Sequence, residues 1–226
     1  MSHLLLALGV FLATHIALAE DPLRGVLVRV LGKRPFVWTY GVLAILQLLW
    51  IGHAVDAAPV VIYRQPPVWT AAVPLLVMPL AVLLLLCGFT QNNPTASLAS
   101  GRLARREVTG ILAVTRNPVM WGLGLWSLAH LAVVAEAAEA LRYAAFAGLA
   151  LLFLPRIEAK QRARWGAAAW ADFTARSSNV PFVAMAQRRA RLRWREIGWA
   201  RTAATILLYA TLIAWLHPTV IGVPAW

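Results

Sequence analysis

The sequence predicts an all-α, polytopic transmembrane bundle of about six helices, one domain over residues 1–226. Three observations predict it. Apolar residues make up 61% of the 226 and charged residues only 13%, at a mean hydropathy of +0.68. A soluble domain holds about 45–50% apolar and about 25% charged residues. The apolar residues gather into segments near the ~20 residues that a helix needs to cross hydrocarbon. Nineteen of the 21 Lys and Arg then fall on alternate connections between those segments, which is the asymmetry of the positive-inside rule.

The segments follow in order. Ser2–Ala19 is the first span. Its Ala17-Leu18-Ala19 has the small-residue form of a signal-peptide cleavage site, but no Lys or Arg precedes the apolar run, so we read it as a retained helix. Phe36–Val55 is the second. Val68–Phe89 is the third, with Pro74 and Pro79 expected to kink it. Pro118–Ala135 is the fourth and opens with proline, which suits a first helical turn. Ala137–Leu154 is the fifth; Glu139 and Arg142 within it point to a late start or a polar interior. Trp199–Leu216 is the sixth, with Arg201 placed to snorkel. The tail His217–Trp226 is broken by Pro218 and Pro224 and is expected to cap the bundle at the interface.

The charges orient the spans. Arg24, Arg29, Lys33 and Arg34 sit in 20–35, and Arg102, Arg105, Arg106 and Arg116 in 90–117. Lys160 joins Arg156, Arg162, Arg164, Arg176, Arg188, Arg189, Arg191, Arg193, Arg195 and Arg201 after the fifth span. Only Arg64 and Arg142 lie opposite. This predicts a multi-pass protein with both termini outside and a cytoplasmic basic segment over 155–198. The net charge of +12 is therefore a topology signal and an anchor to anionic headgroups of the lipid bilayer, and no nucleic-acid partner is expected. Within the basic segment, Glu158–Arg176 places Trp165, Ala168, Ala169 and Phe173 at helical spacing, the pattern of an amphipathic helix on the inner surface. Trp38, Trp50, Trp69, Trp121, Trp199 and Trp226 fall near span ends as a headgroup belt.

Little in the chain matches soluble-enzyme chemistry. The lone Cys87 excludes an internal disulfide framework and cysteine-based zinc or iron–sulfur centres. No HExxH, phosphate loop or nucleophile elbow occurs. What remains are polar groups inside spans, which are costly and so are functional candidates. His15 lies about 6 Å from the inner end of its span and His130 about 18 Å from the inner end of its own. They are candidate axial ligands to haem iron, or else each hydrogen-bonds a neighbouring helix, as the buried amide of Gln47 would. At the inner surface Arg116, Asn117 and Pro118 open the fourth span, and Glu158 and Trp170 follow the fifth. That set is a candidate cofactor site, or an ion pair pinning two loops.

The chain resembles the NnrU family over nearly its whole length. The carrying residues are His15, Pro22-Leu23-Arg24, Trp38-Thr39-Tyr40, Gly110, Thr115-Arg116-Asn117-Pro118, Trp126, Ala129-His130 and Glu136. Trp170, Phe173, Ser178-Asn179-Val180-Pro181-Phe182, Glu196-Ile197-Gly198-Trp199 and His217-Pro218 complete them. The resemblance implies a role in denitrification and nitrogen-oxide redox metabolism, with respiratory or denitrification proteins as partners. That family is similar to the 15-cis-zeta-carotene isomerases, which implies haem b on His15 and His130, Arg116 near a propionate, and isomerisation of an apolar small molecule. Asn117 stands where those relatives carry histidine. The second half also resembles isoprenylcysteine and phospholipid methyltransferases through Arg116-Asn117-Pro118, Glu158, Gly166, Trp170, Phe173 and Pro181. This implies S-adenosylmethionine held by Arg116, Glu158 and Trp170. A non-enzymatic assembly factor or subunit of a respiratory complex is the third expectation.

Overall fold

A computed structural model describes residues 1–19, 21–91, 93 and 107–222. Glu20, Arg102, Arg105, Arg106, Val223, Pro224 and Trp226, which bear on topology, family likeness or the tryptophan belt, lie outside the described residues. The described residues are helical, with no strand beyond an isolated bridge between Ile62 and Glu136. Among them, five helices are long and apolar enough to cross a membrane: Ser2–Ala19, Lys33–Asp56, Val68–Thr90, Ala137–Trp165 and Trp199–Val220. The chain divides into two compact units, residues 1–66 with 134–145, and residues 67–133 with 146–226.

The first unit is built on α1 (Ser2–Ala19), α2 (Asp21–Leu31) and α3 (Lys33–Asp56). Leu4, Ala7, Leu8 and Phe11 bury one face of α1 at helical spacing, and Phe36, Gln47, Ile51 and Ala54 do the same on α3. The amide of Gln47 donates to Thr14 Oγ1 at 2.9 Å while the Thr14 hydroxyl donates to the Val10 carbonyl at 2.8 Å. Gln47 is thus an interhelical clasp. The segment 20–35, expected as a loop because of its charges, instead carries α2. Pro22 sits in its first turn, and Leu23, Val26, Leu27 and Val30 interleave with Arg24 and Arg29. The charges that suggest a loop are the polar face of an amphipathic helix. Gly32, at φ +82°, makes the sharp joint into α3. Tyr63 donates its backbone N–H to Ala135, Arg64 Nε donates to the Val134 carbonyl at 2.9 Å, and Arg142 pairs with Glu139 one turn before it.

The second unit begins with a 3₁₀ turn, Val68–Ala71, that leads into α4 (Ala72–Thr90). A second 3₁₀ turn, Gly110–Ala113, precedes α5 (Pro118–Leu131). Then come α6 (Ala137–Leu152, which starts in the first unit), α7 (Leu154–Trp165), α8 (Ala167–Ala175), the single turns α9 (Val183–Ala186) and α10 (Trp194–Ile197), and α11 (Trp199–Thr211). The core gathers Leu84, Cys87, Ile111, Val114 and Ile197. Glycines let α5 approach its neighbours closely. A Cβ on Gly122 would lie 2.7 Å from Leu85 Cγ and 3.0 Å from the Ala81 carbonyl oxygen, and one on Gly124 would lie 2.6 Å from Leu151 Cδ2. Small residues at such contacts are how membrane helices pack without a hydrophobic drive.

Three expectations change here. The fourth segment is helical only over Pro118–Leu131, 14 residues and so about 21 Å, because the chain turns at Ala132 and Val133. The amphipathic stretch Glu158–Arg176 is two helices, α7 and α8, broken at Gly166, whose φ of +83° leaves the helical region. Residues 217–221, expected to be broken at Pro218, stay helical: α11 widens into a π-helix over Leu212–Ile221. Pro218 has no N–H and would clash with the carbonyl four residues back in an α-helix. The wider turn accommodates it.

Candidate functional site

Two constellations of polar side chains stand at the two ends of α5, both within the second unit. At the Pro118 end, Thr115, Arg116 and Asn117 form the non-helical entry to the helix, and the segment Ser177–Phe182 lies against it. The Arg116 N–H donates to the Ser178 carbonyl at 2.8 Å, the Phe182 N–H donates to Val114 at 2.9 Å, and Thr115 Oγ1 donates to the Asn179 carbonyl. Phe182 adopts φ +66° to make the turn into α9. These bonds hold the entry so that Arg116 and Asn117 reach α7.

The Arg116 guanidinium grips Glu158 side-on, Nε to Oε1 at 2.7 Å and Nη2 to Oε2 at 2.9 Å, the bidentate geometry that makes arginine–carboxylate pairs strong. Asn117 Nδ2 adds a third bond to Glu158 Oε1 at 3.0 Å and a bond to Asn179 Oδ1 at 3.1 Å. Trp121 Nε1 donates to the same Asn179 oxygen at 3.2 Å. The Trp170 ring lies 5.7 Å from the guanidinium carbon and packs with Trp165 and Phe173. Asn117 is 2% exposed, and its Oδ1 is buried without a hydrogen-bond partner. The structure therefore brings together Arg116, Asn117, Glu158 and Trp170. Asn179 and Trp121 join them, and sequence pattern alone assigns neither to a site. The one signal for Asn179 is its place in Ser178–Phe182, and Trp121 reads as part of the headgroup belt. Both Glu158 oxygens are already engaged by protein donors. The cluster's chemistry is neutralisation and fastening of α7 to the start of α5.

At the Leu131 end, His130 Nδ1 lies 2.8 Å from the Trp126 carbonyl oxygen. A carbonyl only accepts, so Nδ1 carries the proton. Metal-ligating histidines are commonly oriented by such a second bond. The ring of His217, on the π-helical end of α11, lies 6.3 Å from that of His130, centroid to centroid, with the planes 19° apart. His130 and Arg116 are 14 residues apart on or beside one helix, about 21 Å, so they mark separate places. In the sequence His217 reads as an ordinary interfacial residue near the outer end of the sixth span, carrying only family likeness.

His15 belongs to the first unit. Its Nδ1 also meets the carbonyl one turn back, Phe11 at 2.8 Å, and its ring packs against Phe11 and Tyr40. At the N-terminal end of α1, Trp50 Nε1 donates to His3 Nε2 at 2.8 Å beside His53. Among the described residues no group of three or more His, Cys, Asp or Glu side chains could hold a metal ion. The other motifs of the second half are structural. Gln91 donates to the Glu196 carbonyl and accepts from the Ile111 N–H; the Glu196 carboxylate accepts from the Gly110 N–H; and Arg201 donates to Thr90.

Among comparisons with known proteins, a family model described as "NnrU protein" matches residues 3–225. No curated protein and no solved structure matches the chain.

Proposed function

The chain belongs to the NnrU family, and from that premise we propose that it is a multi-pass haem protein of the bacterial inner membrane serving nitrogen-oxide redox metabolism. The observation that carries the reading is the pair His130 and His217: one imidazole oriented by a backbone carbonyl, the other 6.3 Å away and nearly parallel. Two imidazoles commonly hold the iron of an electron-transferring haem. His130 and His217 would hold the haem, with Nε2 of His130 as its donor. Haem supplies one-electron redox chemistry when bound. The protein's share is to fix the tautomer through Trp126, to set the angle of His217 through the π-helix, and to surround both rings with apolar helix. Trp126 and Phe146 stack beside His130, 5.8 Å apart. The charge asymmetry supports periplasmic termini with the basic 155–198 segment in the cytoplasm.

The test is the absorption spectrum of protein purified from haem-supplied cells. We expect a Soret band that His130→Ala and His217→Ala each abolish or shift, and that His15→Ala leaves in place. A haem-free preparation would overturn the reading. A band lost with His15→Ala but kept with His217→Ala would replace His217 by His15.

A further inference from the structure

A second binding surface lies on the outer side of the Arg116–Glu158 pair. Pro155, Ala159, Ala163 and Gly166 floor a groove of about 640 Å³ between α7 and α8, with Glu158, Arg162 and Trp170 on its walls. Three features define what fits it. The first is charge. α7 carries Arg156, Lys160, Arg162 and Arg164 against one acid, Glu158, and that acid is neutralised by Arg116. Of these cations only Arg162 lines the groove, where it stands exposed as the charge left for an anion. The second is position. α7 follows α6 with only Phe153 between them, itself in right-handed helical conformation. The apolar run of the 137–165 helix stops at Leu154, so the groove begins where the chain turns from apolar to charged. The third is shape. Leu152, 79% exposed, stands one turn before the groove floor, and a strip of about 15 Å runs from that apolar side chain past alanines to the guanidinium of Arg162.

We propose that this groove is a binding site for an anionic phospholipid, with the phosphodiester on Arg162, the glycerol region over Ala159 and Ala163, and the acyl chains along Leu152. An apolar end, a small-residue middle and a cationic end match the order of groups along such a lipid. A soluble anion would use the arginine alone.

Native mass spectrometry of the full-length protein, delipidated and then titrated with phosphatidylglycerol or phosphatidylcholine, tests this. Retention of phosphatidylglycerol over phosphatidylcholine is expected, and Arg162→Ala should weaken it about fivefold. Ala163→Trp, which fills the groove and leaves every charge in place, should do the same, while Arg191→Ala in the separate basic run should leave it unchanged. Arg162 is exposed, so its variant decides the matter if Ala163→Trp fails to fold. Equal retention of the two lipids, indifference to Arg162→Ala, or displacement of phosphatidylglycerol by millimolar inorganic phosphate would overturn the proposal. The Soret band, recorded on the same samples, keeps this outcome separate from that of the haem reading.

Discussion

At the Pro118 end of α5 the buried polar side chains close into a network, and at the Leu131 end two imidazoles stand side by side. Arg116, Asn117, Glu158, Asn179 and Trp121 make five mutual hydrogen bonds, joining parts of the chain 41 to 62 residues apart. His130 turns one nitrogen to its own helix and packs beside a second imidazole. The first arrangement resists change because each partner, once removed, strands another in a place that water barely reaches. The second sets two rings 6.3 Å apart, centroid to centroid, in nearly parallel planes. One helix thus has a fastened end and an end where two imidazoles meet.

The largest expected effect tests the fastening. Glu158→Ala strands the Arg116 guanidinium, whose side chain is 13% exposed, and should cost about 3 kcal/mol in detergent unfolding. Arg116→Ala with Glu158→Ala should cost less than the sum of the two single changes; an additive pair would show that the ion pair contributes nothing. Next, Gly122→Val pushes a side chain into Leu85 and the Ala81 carbonyl and should cost about 2 kcal/mol, read as a lowered Tm. Asn117→Leu removes one of three bonds to Glu158 and should cost about 1–2 kcal/mol. His130→Ala sharpens the contrast from the other side. It should change stability by under about 1 kcal/mol and yet remove the Soret band. A His130 variant as damaging to Tm as Glu158→Ala would erase the distinction between the two ends.

The fold is legible in the sequence wherever a single property decides it. Apolar runs locate the five long helices, and Pro118 marks the start of α5 to the residue. It is less legible where two properties compete. In α2 the arginines outweigh the period of Leu23, Val26, Leu27 and Val30, so a helix looks like a loop. At Pro218 a local breaker outweighs the apolar run around it, because nothing in a linear pattern announces a π-helix. The cluster residues Arg116, Asn117, Glu158 and Trp170 stand out by the rarity of polar groups near spans and by family likeness. Asn179 does not, because it lies among other small polar residues, and only the return of segment 177–182 to the α5 entry makes it a partner. His217 stays hidden because its meaning depends on the ring of His130, 87 positions earlier.

The widened end of α11 turns sequence length into angle. Side chains advance about 100° per residue around an α-helix, and a π-stretch holds each turn open by taking up extra residues. Removing one residue between Leu212 and Trp215 while the turns stay wide would swing His217 by roughly that angle, away from His130, whereas tightening the stretch to α-helical turns would take up the lost residue and bring it back. An alanine inserted at the same place would swing it the other way. The direction in which His217 points is therefore set by the count of residues and the width of the turns together, and its place beside His130 can be lost while every side chain near His130 stays untouched.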